Sequence, residues 1–294
     1  MKNILVTGAT GPLGMAVVEN LLKNISAEHI RVLARNAEKA APLKEKGIDV
    51  RIGDYENYDS LIKAFNGIET VYMISNNEVQ NRITQQDNVV RAAVEAGVVH
   101  IVYTSFQRKD ETASSPIAMV TKGHLNTEEK LKDSGITYTI LQHGMYADLI
   151  PSFAGKEILT RRVIFLPAGD GKAAFVLRKD LAEAGANVLL DETGKYDNQT
   201  IELTGPEILS WDEIADIIGS VTNLSIKYVS PTEEEFKTAL TNAGVPPTYV
   251  GLFANFSKAI KEGEFDKTTN ALEYVLGHAP TTVAEYLNGV YGNK

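Results

Sequence analysis

TGATGPLG, Thr7 to Gly14, lies between the apolar run NILVT (3–7) and the helical pattern PLGMAVVENLLKN (12–24). Its glycines, Gly8, Gly11 and Gly14, have G-x-x-G-x-x-G spacing. At a strand-to-helix turn each has a physical task. One turns the chain sharply, one lets the backbone approach a pyrophosphate with no Cβ in the way, and one packs the helix close to the sheet. The helix N-terminus then offers free N–H groups and a partial positive charge to phosphate, and the Thr10 hydroxyl adds a donor. A glycine triplet alone is a common turn. After an N-terminal strand and inside a βαβ unit, it predicts a dinucleotide site.

Outward from that turn, short apolar runs alternate with helical patterns. IRVLA (30–34), DVRIG (49–53), TVYMIS (70–75), HIVYTS (100–105) and TYTIL (137–141) read as buried strands. Between them, patterns such as NYDSLIKAFNG (57–67), QQDNVVRAAVEAG (85–97) and HLNTEEKLKDSG (124–135) have helical period and end at glycine. This predicts an α/β fold, a Rossmann-type doubly wound parallel sheet covered on both faces. After Leu141 the alternation weakens. RRVIFLPAGDGKAAFV (161–176) reads as irregular strand and turn, and IELTG (201–205) as one more strand. Capping boxes at Ser210–Glu213, Ser230–Glu233 and Thr282–Glu285 announce helices. The expected division is residues 1–150 as the dinucleotide domain, with later segments returning to it. Residues 151–294 form a smaller, mostly helical domain on the substrate side.

Composition bounds the partners. The 294 residues are 44% hydrophobic and 23% charged, enough for a sizeable core, and the formal charge of −9 argues against a nucleic-acid partner. With no cysteine there is no disulfide, thiolate metal site or cysteine nucleophile, which suits a cytoplasmic location. No apolar run approaches the ~20 residues needed to span a bilayer. The histidines lack metal-ligand spacing, and no G-x-S-x-G occurs. A monomer and a homodimer are equally compatible with the sequence.

The second strand decides between cofactors. An Asp or Glu at its tip would hydrogen-bond a ribose 2′-OH, whereas a 2′-phosphate calls for arginine. The strand ends HIRVLARN, with Arg35 at the tip and Asn36 and Lys39 close behind, which favours NADPH. Asp54 after the third strand and Ser75 after the fourth fall at strand ends facing the same crevice.

TGATGPLG, VLARN, GDY, MIS, YTS, LQHGMY, YDNQTIELTG, NAGVP and GHAPTT, in this order, span nearly the whole chain. Together they resemble the atypical short-chain reductases of the NmrA-like group, above all its type 2 NAD(P)H:quinone oxidoreductases and triphenylmethane dye reductases. The resemblance implies a nicotinamide in the cleft between a Rossmann domain and a small C-terminal domain. It also implies cofactor contacts at Gly8, Thr10, Gly11, Leu13, Gly14, Arg35, Asp54, Ser75 and Thr104. His124, His143 and Tyr146 become the candidates on the catalytic, substrate side. In one departure, the quinone reductases carry Asn-Gly where this chain has His143-Gly144.

Ordinary short-chain dehydrogenases use Tyr-x-x-x-Lys as proton donor, and none of the 12 tyrosines is followed by lysine at the fourth position. In TKGHLNTEEK (121–130), His124 takes the place where that tyrosine would stand, with Glu128 at i+4. Two readings compete: a polarised His124–Glu128 pair on the cleft side, or a first-turn histidine beside a solvated glutamate. A small aromatic acceptor such as a quinone makes the missing acid understandable, because the reduced product is a weak base that water can protonate. A triphenylmethyl cation needs no proton at all. Phe106, Met145, Tyr146 and Phe153 could wall such a ring, or could be plain core. The alternative from another class is an NADP(H)-binding redox sensor acting through a protein partner, which would have a filled cleft and an exposed apolar patch.

Overall fold

In the computed structural model, which describes residues 2–292, the expected apolar runs are strands. They are β1 (Ile4–Val6), β2 (Ile30–Ala34), β3 (Asp49–Ile52), β4 (Thr70–Ile74), β5 (His100–Phe106) and β6 (Thr137–His143). Shorter strands follow: β7 (Val163–Phe165), β8 (Lys172–Ala173), β9 (Gln199–Leu203), β10 (Leu209–Ser210) and β11 (Lys227–Val229). Seven strands form one sheet in the order β3-β2-β1-β4-β5-β6-β9, every neighbour pair parallel. Ile4 pairs with Ile30 on one side and Thr70 on the other, so the strand order reverses at β1. At that reversal the crossovers on the two sides diverge and leave a crevice above the carboxyl ends. The strands are continuous apolar runs because both faces are covered. Leu5, Val6, Val71 and Ile101 have no exposed surface, and burying each stabilises the fold by about 1.5–3 kcal/mol.

The helices are α1 (Pro12–Leu22), α2 (Ala41–Glu45), α3 (Tyr58–Phe65), α4 (Arg82–Glu95), α5 (Ala118–Asp133), α6 (Ile150–Ala154) and α7 (Ile158–Arg161). After them come α8 (Arg178–Leu190), α9 (Trp211–Thr222), α10 (Glu233–Asn242), α11 (Pro247–Lys261), α12 (Ala271–Leu276) and α13 (Val283–Tyr291). One face of the sheet is covered by α1, α8 and α12, the other by α3, α4 and α5. The long α8 has no counterpart in the sequence reading. Its core-facing side is built largely of small residues, and a Cβ at Gly185 would meet the Tyr72 hydroxyl at 2.5 Å. A second apolar core lies around Trp211, Phe175 and Phe265. It gathers α6, α7, α9, α10, α11 and α13 with the two-stranded pairs β8/β10 and β7/β11.

Two details correct the sequence reading. The cap of α10 is Thr232 with Glu235, two residues beyond the expected Ser230–Glu233 box. Both tetrads have the same chemistry, but the Ser230 hydroxyl is already engaged, accepting from Gly169 N at 2.9 Å. Helix α5 begins at Ala118, so His124 sits in its second turn and is not a first-turn residue.

The two cores are joined by a buried carboxylate. Glu264 accepts from the backbone N–H of Lys109 (2.9 Å) and Asp110 (3.1 Å), and from the Ser115 hydroxyl at 3.3 Å. The loop after β5 is thereby held against the C-terminal half.

Candidate functional site

A cleft of about 470 Å³ opens at the carboxyl ends of the strands, where their order reverses. Its floor is the glycine turn. Gly8 has φ +58°, a left-handed conformation that side chains disfavour, and its oxygen accepts from Gly11 N at 3.0 Å. A Cβ on Gly14 would lie 2.5 Å from that same oxygen. Gly11 caps α1 without any side-chain hydrogen bond, Pro12 has no N–H, and no acidic residue occupies the first turn. The N–H groups of Leu13 and Gly14 are left without helical partners, directed at the cleft floor.

The end of the cleft beside β2 and β3 is lined by Leu33, Arg35, Asp54 and Tyr55. Arg35 is largely exposed, and its closest carboxylate is Glu78 across the mouth at 3.5 Å. Asn36 is committed to its own turn, accepting from Glu38 N at 2.8 Å and Lys39 N at 3.1 Å. Asp54 accepts from Glu56 N at 3.0 Å. The Tyr55 hydroxyl lies 2.6 Å from Thr7 Oγ1 and 3.0 Å from the Ile74 carbonyl, which closes the sheet beneath the turn. Burial pushes that phenol well up, so it remains a neutral strut. Ser75 lines the wall. Thr104 does not: it is 1% exposed, and its hydroxyl accepts from Ser75 N at 3.0 Å. The expected contact at Thr104 is therefore a support behind Ser75, with Ser105 and Phe106 lining the cleft beyond it.

At the other end stands His124, 4% exposed. Its Nε2 is 3.1 Å from Arg82 Nη1, and its Nδ1 is 2.8 Å from the Tyr103 hydroxyl. A guanidinium can only donate, so Nε2 accepts and Nδ1 carries the proton. The chain continues as Tyr103 Oη donates to Gln86 Oε1 at 3.0 Å, which also accepts from Thr127 at 2.6 Å. Burial, reinforced by Arg82, holds the imidazole well below its usual pKa. Both nitrogens are engaged and the ring is neutral, so His124 is a wall and not an acid. Neither of the two competing readings of His124 and Glu128 holds: the two are not paired, and Glu128 is buried. Glu128 instead accepts both arms of Arg108 (2.9 and 2.8 Å) and the Ser105 hydroxyl, a buried ion pair that fixes the end of β5.

Tyr146 lines this end and His143 does not. His143 is fully buried, with Nδ1 3.2 Å from the Tyr146 hydroxyl and Nε2 without a partner. Burial holds its pKa down to about 3, so the ring is neutral. A buried N–H with no acceptor costs more than a bare lone pair, which puts the proton on Nδ1, donating to Tyr146 Oη. The Tyr146 phenol is itself pushed up to about 12 by burial, and Arg178 lies 4.4 Å over its ring. Of the four residues considered for an apolar wall, Phe106 and Tyr146 line the cleft, whereas Met145 and Phe153 belong to the second core. Arg82, Ser105, Val120 and Arg178 also line this end, and of these only Ser105, at the end of β5, lay where the sequence pointed to a site.

These features define a Rossmann-type α/β protein whose open cleft begins at a phosphate-ready turn. The chain belongs to the NmrA-like family, whose profile matches residues 1–287. It is 34% identical over 288 residues to quinone oxidoreductase 2 of Escherichia coli, covering 98% of each chain. Its structure is similar to that of an NADPH-dependent quinone oxidoreductase from E. coli crystallised with NADPH, with a TM-score of 0.91 and 33% identity over 98% of this chain and 99% of that one. The triphenylmethane reductase of Citrobacter sp., crystallised with NADP(H), matches with a TM-score of 0.90 and 34% identity over the same shares.

Proposed function

We propose that the protein is an NADPH-dependent reductase that delivers hydride to a flat, electron-poor acceptor of the quinone or triphenylmethane-dye type. The chain is an NAD(P)H oxidoreductase by its full-length relationship to enzymes of that class. One observation carries the finer reading. A single cleft runs from the glycine turn to the Phe106–Tyr146 edge, and no carboxylate or charged imidazole lines that far edge. The site is equipped to position and not to perform strong acid–base chemistry.

The residues present fit the cofactor. Gly8 takes the left-handed conformation of the turn and Gly14 lets α1 lie against its backbone, where a Cβ would meet the Gly8 oxygen, and Leu13 and Gly14 offer N–H groups to a pyrophosphate. Arg35 presents a fork suited to a 2′-phosphate, and Ser75 stands on the wall along the path toward β5. NADPH, when bound, supplies the hydride. The protein's own contribution is to hold the acceptor's plane beside Phe106 and to keep a proton at Tyr146 Oη. Because His143 donates to that oxygen, the hydroxyl hydrogen of Tyr146 is free to turn into the cleft. The open cleft supports a reductase over a sensor with a filled one.

The test is NADPH oxidation by the purified protein, followed by absorbance, with small quinones and one triphenylmethane dye, and with NADH alongside. Acceptor-dependent oxidation that prefers NADPH is expected. Tight NADPH binding without turnover on any acceptor would replace this reading with the sensor.

A further inference from the structure

We propose that Arg82 receives the negative charge that develops on the acceptor's oxygen, so that the site favours conjugated carbonyl acceptors over cationic dyes. This rests on the reductase reading above and narrows its substrate class.

Arg82 is buried, 6% exposed, and among the described residues no carboxylate lies within 4.0 Å of its nitrogens. Arg108, its neighbour in the fold, shows the ordinary solution to the same problem, a two-armed pair with Glu128. A buried cation without a counter-charge is costly, and a fold retains one where a ligand completes it. Arg82 has five N–H groups. One donates to the Asn76 carbonyl at 2.6 Å and one to His124 Nε2 at 3.1 Å, while Nε has no partner. The side chain lines the cleft beside His124, Phe106 and Tyr146, away from the glycine turn.

The surroundings are arranged to keep the guanidinium where it is. A Cβ on Gly123 would stand 2.8 Å from Arg82 Cδ, so only glycine at that position of α5 lets the arginine lie along the helix. Its two fixed acceptors, a backbone carbonyl and a neutral imidazole, orient it without cancelling its charge. The cleft's carboxylates, Asp54 and Glu78, lie toward the β2–β3 end, and Glu78 is engaged with Arg35 and Gln85. Arg178, the other cation at this edge, faces Asp148 at 4.0 Å.

The charge then follows the chemistry. Hydride reaching a carbon of the conjugated acceptor, which NADPH would supply when bound at the cost of its own two-electron oxidation, leaves an electron pair to be placed. The π pair of the acceptor's C=O moves onto oxygen, and that anion takes one proton from water or from Tyr146 to give the hydroxy product. A fixed guanidinium lowers the barrier by meeting the charge as it forms. A triphenylmethyl cation carries positive charge before the transfer and none afterwards, so Arg82 opposes its binding and offers its reduction nothing.

The experiment uses 4-nitrophenol, whose anion is coloured, as a stand-in for the product oxygen. The full-length protein is saturated with NADP⁺, and the bound probe is titrated by absorbance. Its apparent pKa is expected to fall by at least about one unit on binding to the wild type. The shift should vanish in Arg82→Gln, persist in part in Arg82→Lys, and shrink in Gly123→Ala, which displaces the guanidinium should Arg82→Gln fail to fold. In turnover, Arg82→Gln should lower kcat/KM for a small quinone roughly 100-fold and leave a cationic dye unaffected or improved. An unbound or unshifted probe in the wild type overturns the proposal. So does a loss of NADP⁺ affinity in Arg82→Gln with the probe shift intact, because the arginine then serves the cofactor. Equal losses for quinone and dye also overturn it. If no acceptor is reduced at all, the reductase reading fails by itself, and the titration still decides whether Arg82 binds an oxyanion.

Discussion

Arg82 donates to Nε2 of His124, and the opposite ring nitrogen meets Tyr103, so the imidazole is held in one neutral tautomer. Its pKa is lowered, which keeps it neutral on both sides of pH 6.5. The kcat/KM profile for a quinone should therefore show no limb near pH 6.5 that disappears in His124→Gln. A histidine-dependent limb in that region would mean that His124 exchanges protons with substrate after all.

His143 is neutral for a simpler reason, burial alone, with its pKa down to about 3. In the unfolded chain it titrates near 6.5, so between those values the unfolded state binds more protons than the folded one. Stability is complete above pH 6.5 and is lost as pH falls toward 3, on the order of 1 kcal/mol per pH unit for such a histidine. Urea midpoints measured from pH 7 to 4 should decline, and His143→Asn should decline less steeply. Parallel curves for the two proteins would show that the site does not carry this linkage.

Gly14→Ala places a methyl 2.5 Å from the Gly8 carbonyl oxygen, which is backbone and cannot step aside. The turn must open to accommodate it. Calorimetry should find NADPH affinity reduced at least about 10-fold, and melting should find roughly 1–3 kcal/mol of destabilisation. Unchanged affinity would detach the glycine turn from cofactor binding.

Arg35 reaches the cleft mouth with only a long contact to Glu78, leaving most of its donors free. Arg35→Ala should raise KM for NADPH about 10-fold and leave NADH within about twofold, since only the 2′-phosphate is lost. A parallel rise for both cofactors would assign the arginine to some other contact.

Tyr146→Phe removes the hydroxyl that His143 supports. Water can protonate a hydroquinone anion, so the loss in kcat should stay below the roughly 100-fold typical of an essential general acid, and a cationic dye should show none. Comparing the two acceptors in steady state separates proton supply from packing.

Much of this was legible in the sequence. Strands buried on both faces are continuous apolar runs, and the glycine turn has a spacing that few other functions require. Helix α8 was hidden because half of its buried side is alanine and glycine, and the fit of Gly185 depends on Tyr72, on a strand more than a hundred residues earlier. Arg82 was hidden for a related reason. A lone arginine in NEVQNRIT reads as a surface residue, and its burial depends on Gly123 of another helix. His143 and His124 share a residue type and lie near one edge, yet only the hydrogen-bond partners show that one lines the cleft and the other lies behind Tyr146.

The sheet's seventh strand, β9, lies beyond residue 198, and α12, which covers the same face as α1, lies beyond residue 270. During synthesis the first six strands therefore leave the ribosome with one edge unpaired and one face partly bare. The β6 edge cannot be covered until β9 has emerged, so a translation pause or truncation before residue 199 exposes the nascent protein to misassembly at that edge.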